Sequence, residues 1–323
     1  MRESSAETVL GEVLPGILAA AKEHGQSDVA CLGDVLHFRY RVDARILNAL
    51  LDELQAWRAA GLRLHILPGN HDQYQVDGRN ALEVFDELPH VSVYSKPYAN
   101  EWGYWVPYRK DLQAVAAALR FEPDQRVPRI LFTHLPIQGA TMNDHKVDTT
   151  GVPCEQVAKW DVVFSGHYHK RQALRRAVWY VGSPYQTRAD ESGQEKGYAI
   201  WEPKTQRVGW INTDWGPKYH RVTVQAGQPV DVQGIGPRDQ VRVRVTGCGS
   251  EAHAERVYQQ LSLAGIGGPV TVTPELEHAE ARLDVQDGAG MADYVRAYVD
   301  NHAGELPQPG LLDVFRDITG VQL

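Results

Sequence analysis

Short apolar runs rich in β-branched residues, each ending on the same kind of polar cluster, constrain this chain more than any other feature. Val29 to Leu32 is followed by Gly33-Asp34, with His37 three residues on. Leu62 to Leu67 leads into Gly69-Asn70-His71-Asp72, Arg129 to Thr133 into His134, and Asp161 to Ser165 into Gly166-His167-Tyr168-His169. Runs of this length bounded by turn residues read as buried strands. Between the first two lies an amphipathic helix from about Asp43 to Ala60, with Ile46, Leu47, Leu50, Leu51 and Leu54 on one face and Gly61 as its stop. Strands alternating with helices imply a layered α/β architecture, in which ligand sites lie beyond the carboxyl ends of the strands. The polar clusters are therefore expected along one rim.

Val178 to Val181 and the pair Gly197 to Trp201 and Arg207 to Ile211 read as further strands of this unit. Near Tyr219 the pattern restarts after its own fashion. Strand Gln240 to Thr246, helix Glu251 to Leu263, strand Val270 to Thr273 and helix Met291 to His302 suggest a compact α+β unit, set off by the Gly- and Pro-rich stretch 227–237. A chain of 323 residues that is 43% hydrophobic can bury one sizeable core plus a smaller one. The expected domains are 1–220 and 221–323.

No stretch approaches the roughly 18 consecutive apolar residues of a membrane span, and the start lacks the basic flank and apolar run of a signal peptide. A soluble, cytoplasmic protein is the expectation. Cys31, Cys154 and Cys248 are far apart with no Cys-x-x-Cys pair, and read as buried thiols. The net charge of -8 argues against a surface coated with nucleic acid. Residues 221–323 hold 8 basic against 14 acidic side chains and residues 1–220 hold 25 against 27, so a polyanion should meet the first two thirds.

Taken singly, the polar clusters have bland readings: a turn at Asp34, an interior histidine at His134, an Asx turn and helix cap at Asn70 to Asp72, a strand end at His167 to His169. In combination they carry chemistry. A His-x-His pair in extended backbone would put both imidazoles on one face. An aspartate can bridge two cations, and an asparagine amide oxygen is a neutral hard ligand. Mixed nitrogen and oxygen ligation suits manganese, iron or zinc better than calcium. Two such ions about 3.5–4 Å apart clamp the attacking and leaving oxygens of a phosphoryl transfer.

In order and spacing these motifs resemble the calcineurin-like metallophosphoesterases, over roughly residues 25 to 215. The resemblance implies a layered β-sandwich flanked by helices, a smaller α+β capping domain, and two divalent metal ions. Asp34 matches the bridging ligand; Asn70, His134 and His167 match the other ligands of the second metal, and His169 matches a ligand of the first. His71 matches the histidine that protonates the leaving oxygen or stabilises the phosphoryl charge. Gly33 to His37 followed by Arg39 and Tyr40, and Tyr180 to Thr187 with its Gly-Ser-Pro, resemble the SbcD-type DNA nuclease subunits and most closely their phage-like members. In that branch the extra histidine, here His37, lies near the scissile phosphate.

The resemblance implies a metal-dependent DNA exonuclease or endonuclease subunit of repair or recombination. Manganese is the leading metal, with iron, zinc and magnesium as alternatives. DNA is the implied substrate, an SbcC-type coiled-coil ATPase the implied partner, and a homodimer a further arrangement. The stretch from about 220 to the end looks like the cap, closing on a short apolar helix, Leu311 to Ile318. Arg39, Tyr40, Arg41, Lys170 and Arg171, with Arg45, Arg175 and Arg176 nearby, would meet the DNA backbone electrostatically, unless they are simply a solvated face.

One element departs from the family pattern. The opening strand ending in Asp-x-His has no counterpart, and Ala6 to His24 reads as a helix with a kink at Pro15. The second-metal set is complete, whereas the first metal keeps only Asp34 and His169. Either the true start lies upstream or the first site is weakened. Two other functions therefore stay open: a phosphoesterase of the same fold acting on small phosphodiesters or phosphoproteins, and a catalytically weakened scaffold that binds DNA or an ATPase.

Overall fold

The computed structural model describes residues 3–276 except Phe38, Tyr40, Gln125, Asp144, His145, Arg176, Ala177, Lys204, Gln206, Gly249, Ser250 and Gly267, and beyond these Ala297, which is helical. Tyr40, Arg176 and the helix expected over Leu311 to Ile318 lie outside the described residues, as does all but Ala297 of the helix expected over Met291 to His302.

The chain opens on α1 (Glu3–Thr8), a π-helical turn (Val9–Val13) and α2 (Leu14–Glu23). Pro15 stands in the first turn of α2 and has no N–H to give, so the chain widens just before it, with the Leu14 N–H bonded to the Val9 carbonyl. The sequence-based kink is thus realised as a π turn. Strand β1 (Asp28–Cys31) follows, then α3 (Ala44–Ala59), capped by the Asp43 carboxylate accepting from the Arg45 N–H. Helix α3 buries Ile46, Leu50, Leu54 and Trp57, the last three against β2 (Arg63–Ile66) and β3 (Val91–Val93). These three strands are parallel in the order β1-β2-β3.

Next come β4 (Tyr98–Asn100), β5 (Gly103–Val106), α4 (Leu112–Ala118), β6 (Ile130–Thr133), the small hairpin β7 (Thr141–Asn143) and β8 (Lys146–Val147), β9 (Val162–Ser165), β10 (Gln172–Leu174) and β11 (Val178–Tyr180). A second sheet runs β10-β11-β9-β6-β5-β4, parallel from β11 through β5 and antiparallel at both edges. Its central strands β6 and β9 are buried at every residue, as strands covered on both faces must be. Leu131 and Val163 pack on one face among Leu135, Val157 and Tyr180. Phe132 and Phe164 pack on the other with Trp105 and with Leu67 and Tyr94, the residues that directly follow β2 and β3. That shared layer makes the two sheets a sandwich of the mixed α/β class that the sequence implied.

A hairpin of β12 (Gly197–Glu202) and β13 (Arg207–Asn212) leads to a separate parallel sheet of β14 (Tyr219–Gln225), β15 (Gln240–Cys248) and β16 (Val270–Leu276), covered by α5 (Glu251–Leu263). Val241, Val243, Val245, Val257 and Leu261 form its own core. Among the described residues strand β1 pairs on one edge only, with β2, and β12 on one edge only, with β13. Val29 to Cys31 and Gly197 with Tyr198 line one cavity of about 380 Å³ that runs from Val9 and Ile17 to Asp34 and His169. Among the described residues no strand fills that space, which is partly covered by the helical N-terminal region. Cys154 is buried as expected, but Cys31, on open-edged β1, is only half-buried.

Candidate metal centre

The exits of β1, β2, β6 and β9 meet because glycine lets their backbones touch. A side chain at Gly69 would collide with Asp34 and His134, and one at Gly166 with the Leu32 carbonyl. Asp72, fully buried, pins the first two exits together, accepting the N–H groups of Asp34, Leu36 and Gly69 at 2.8 Å each. Burial and the nearby Asp34 carboxylate push Asp72 up to about 7, against the Leu36 and Gly69 N–H donors and His134, which favour its charged form.

This staple aims Asp34 into the site at φ +57°, a left-handed conformation that L residues rarely adopt. Asp34 Oδ1 accepts the His71 N–H at 2.9 Å, and Oδ2 lies 3.4 Å from His134 Nε2. His134 is buried, and its Nδ1 faces the Leu32 carbonyl, which can only accept; the proton is therefore on Nδ1. The lone pair on Nε2 then points toward Asp34 and toward Asn70 Oδ1, 3.3 Å away. His167 Nδ1 lies 3.0 Å from the same Asn70 oxygen.

The charges follow from this crowding. Burial raises Asp34, but His134 and the His71 N–H outweigh it and hold the carboxyl well below the usual range. Burial likewise presses His134 down, but the Asp34 carboxylate overrides it and His134 titrates above its ordinary value. His167 is pushed down to about 4 by burial and by His134, so it is neutral near pH 7. One carboxylate, one amide oxygen and two imidazoles thus converge with more lone pairs than protons, a donor set that fits a borderline divalent cation. Among the described residues no three His, Cys, Asp or Glu side chains form an ion-holding group by themselves, and it is the Asn70 oxygen that contacts both imidazoles.

The remaining expected residues divide. His71 Nδ1 donates to the His37 carbonyl at 3.0 Å, and the two rings stack with centroids 5.5 Å apart, so the structure brings this pair together at the rim. His169 lines the same cavity as His167 but makes its own contacts, with Glu191 and Thr187. The His-x-His segment is not extended: the chain turns left-handed at His167 (φ +82°), and Tyr168 dives inward to donate to Asp148 at 2.6 Å. The pleated arrangement expected from the spacing is therefore corrected; a turn, not a strand face, separates the imidazoles. Arg39 and Lys170 are half-buried and Arg41 is exposed. Arg171 is committed within the protein, paired with Glu195, donating to Asn212 Oδ1 at 2.7 Å and lying over the Trp210 ring.

Sequence reasoning gave Asp72 no role beyond a helix cap, named Thr187 only as the end of the Gly-Ser-Pro segment, and passed over Glu191 and Lys196; these last three surround His169. No local motif marks them, since their partners stand up to 27 residues away. The profile of the family described as calcineurin-like phosphoesterase matches residues 9–171. Exonuclease subunit 1 of Enterobacteria phage T4 is 23% identical over 238 residues, covering 66% of this chain and 66% of its own length.

Proposed function

The chain belongs to the calcineurin-like phosphoesterase family, and from that premise we propose that it is a divalent-metal-dependent phosphodiesterase whose substrate is DNA. The convergence of Asp34, Asn70, His134 and His167 at the strand exits carries this reading. These residues would hold one ion, and Asp34 with His169 would contribute to a second. Bound there, divalent ions supply charge neutralisation at the phosphoryl group and acidify the attacking water. Manganese is the proposed metal, with iron, zinc and magnesium as its competitors for the same donors.

The protein's own groups do the rest. Asp34, fixed by the His71 N–H and the Asp72 staple, keeps its carboxylate between the two donor groups. His71 Nδ1 donates a hydrogen bond to the His37 carbonyl, and its Nε2, when protonated, would supply the proton to the leaving oxygen. His37, stacked on it, lines the approach. Arg39, Arg41 and Lys170 would meet the backbone of the polymer, and residues 221–323 would form a cap that positions it. The likeness to a phage exonuclease subunit supports DNA over a small diester and a partner subunit; the proposed partner is the SbcC-type ATPase that the sequence motifs imply. The test is incubation with end-labelled duplex and single-stranded DNA with and without manganese. Metal-dependent shortening is expected; turnover of a small diester with no action on DNA would reverse the substrate assignment. A second reading, a DNA- or ATPase-binding scaffold with weakened catalysis, is favoured by the sparse donor set around His169.

A further inference from the structure

Behind His169 lies a buried charged assembly that the reaction as described does not use. Glu191 and Lys196 have side chains only 6% and 4% exposed, and their Oε2 and Nζ atoms are 2.8 Å apart. Lys196 Nζ also donates to the His169 carbonyl at 2.9 Å and to Ser183 Oγ at 3.0 Å. Glu191 Oε2 accepts the Thr187 N–H at 2.9 Å, and Oε1 accepts the Thr187 hydroxyl at 2.7 Å. The remaining contact of Oε1, at 2.7 Å, is His169 Nδ1.

We propose that Glu191 is a positioning residue: it keeps the proton of His169 on Nδ1, so that Nε2 turns a bare lone pair to the cavity that Asp34 and His167 also line. This rests on the reading of His169 as a metal donor. A carboxylate is acceptor-only, so the short contact requires a proton on Nδ1. Carboxylate partners of this kind fix the tautomer and raise the donor strength of the imidazole they hold. Lys196 and the Thr187 backbone hold the carboxylate from the other side, which leaves Oε1 no alternative orientation.

That hydrogen-bond pattern makes the effect of an isosteric change definite. In Glu191→Gln the Thr187 N–H and the Lys196 ammonium, both donors, require the amide oxygen at the Oε2 position. The amide NH₂ then faces both Thr187 Oγ1 and His169 Nδ1, which themselves lie 3.0 Å apart; with the hydroxyl oxygen taking one amide proton, Nδ1 accepts the other and the ring proton moves to Nε2. A structural ion pair alone would have no such consequence.

The experiment uses the full chain, metal-free, with ¹⁵N-labelled histidine, and reads imidazole tautomers by NMR; His169→Ala assigns the resonance. We expect protonated Nδ1 and bare Nε2 at His169 in the wild type, and the reverse in Glu191→Gln. Manganese titration followed by electron paramagnetic resonance should show the weaker of the bound ions losing about 10–100-fold in affinity in Glu191→Gln. A wild-type His169 protonated on Nε2 overturns the proposal, and that reading survives even if the variant fails to fold. If His169→Ala weakens the ion while Glu191→Gln does not, the positioning role is overturned and the donor role stands. If His169→Ala leaves metal binding unchanged, the donor role fails first.

Discussion

Asp34 and His167 face the same cluster from left-handed backbone, at φ +57° and +82°. Each such position costs on the order of 1–3 kcal/mol and persists only where its surroundings impose it. At Asp34 the imposing group is Asp72, so Asp72→Ala should be more damaging than the loss of a cap. It would leave three N–H groups without their acceptor, at about 1–3 kcal/mol for each that stays buried. A fall in melting temperature joined to lost metal binding is expected; a variant with wild-type metal content would separate the staple from the site. His134→Ala or His167→Ala should abolish binding of the tighter ion by elemental analysis. His71→Ala should spare it and lower turnover by about 10²–10⁴-fold, the usual contribution of an acid or base. A His71→Ala protein cleaving at the wild-type rate would mean that another group protonates the leaving oxygen. At this scale the sequence displayed Asp34, Asn70, His71 and His134 because each stands in the short polar cluster that follows a strand's end. Glu191 was hidden because its partners His169 and Lys196 flank it at a distance and only the folded loop gathers them.

Helices were the most legible elements. The apolar positions of α3 recur at helical spacing, and its bounds fall within one residue of those expected from Asp43 and Gly61. Strands β3, β4 and β5 escaped notice: the first two span three residues, and in β5 every residue is buried, so no alternation could show. The junction before β15 also went unread. There Asp239 accepts the Lys218 and Gly236 N–H groups and His220 Nε2, each at 2.8 Å, and so ties β14 to β15. Burial raises Asp239, but these donors prevail and hold it below its ordinary 3.8. A carboxyl lowered on folding contributes stability above its unfolded value and loses it as pH falls through the folded one. Thermal melts should therefore show a destabilisation of about 1–3 kcal/mol in Asp239→Ala near neutral pH, shrinking below pH 3.8. An equal loss at all pH values would mean that packing, not charge, ties the strands.

For the whole molecule, the division of labour between the sandwich and the smaller sheet is a proposal with a direct check. A chain ending near residue 220 should keep turnover on a small chromogenic phosphodiester while losing DNA cleavage; equal loss on both would make the smaller unit structural. The periodic apolar pattern of the sequence conveyed a layered α/β unit followed by an α+β stretch, and the family resemblance supplied the sandwich. It conveyed the space beside β1 only as a missing motif, whereas the structure gives it a shape, a cavity bordered by the open edges of β1 and β12. The central claim is that Asp34, Asn70, His134 and His167 form the metal centre of a DNA phosphodiesterase. The most direct test is a manganese titration that follows bound ions and cleavage of end-labelled duplex together, in the wild type and in His134→Ala. The account predicts one tightly bound ion, a second that binds weakly, cleavage that appears only with metal, and loss of both the tight ion and cleavage in the variant. Cleavage without metal, or an unchanged tight ion in His134→Ala, would contradict it.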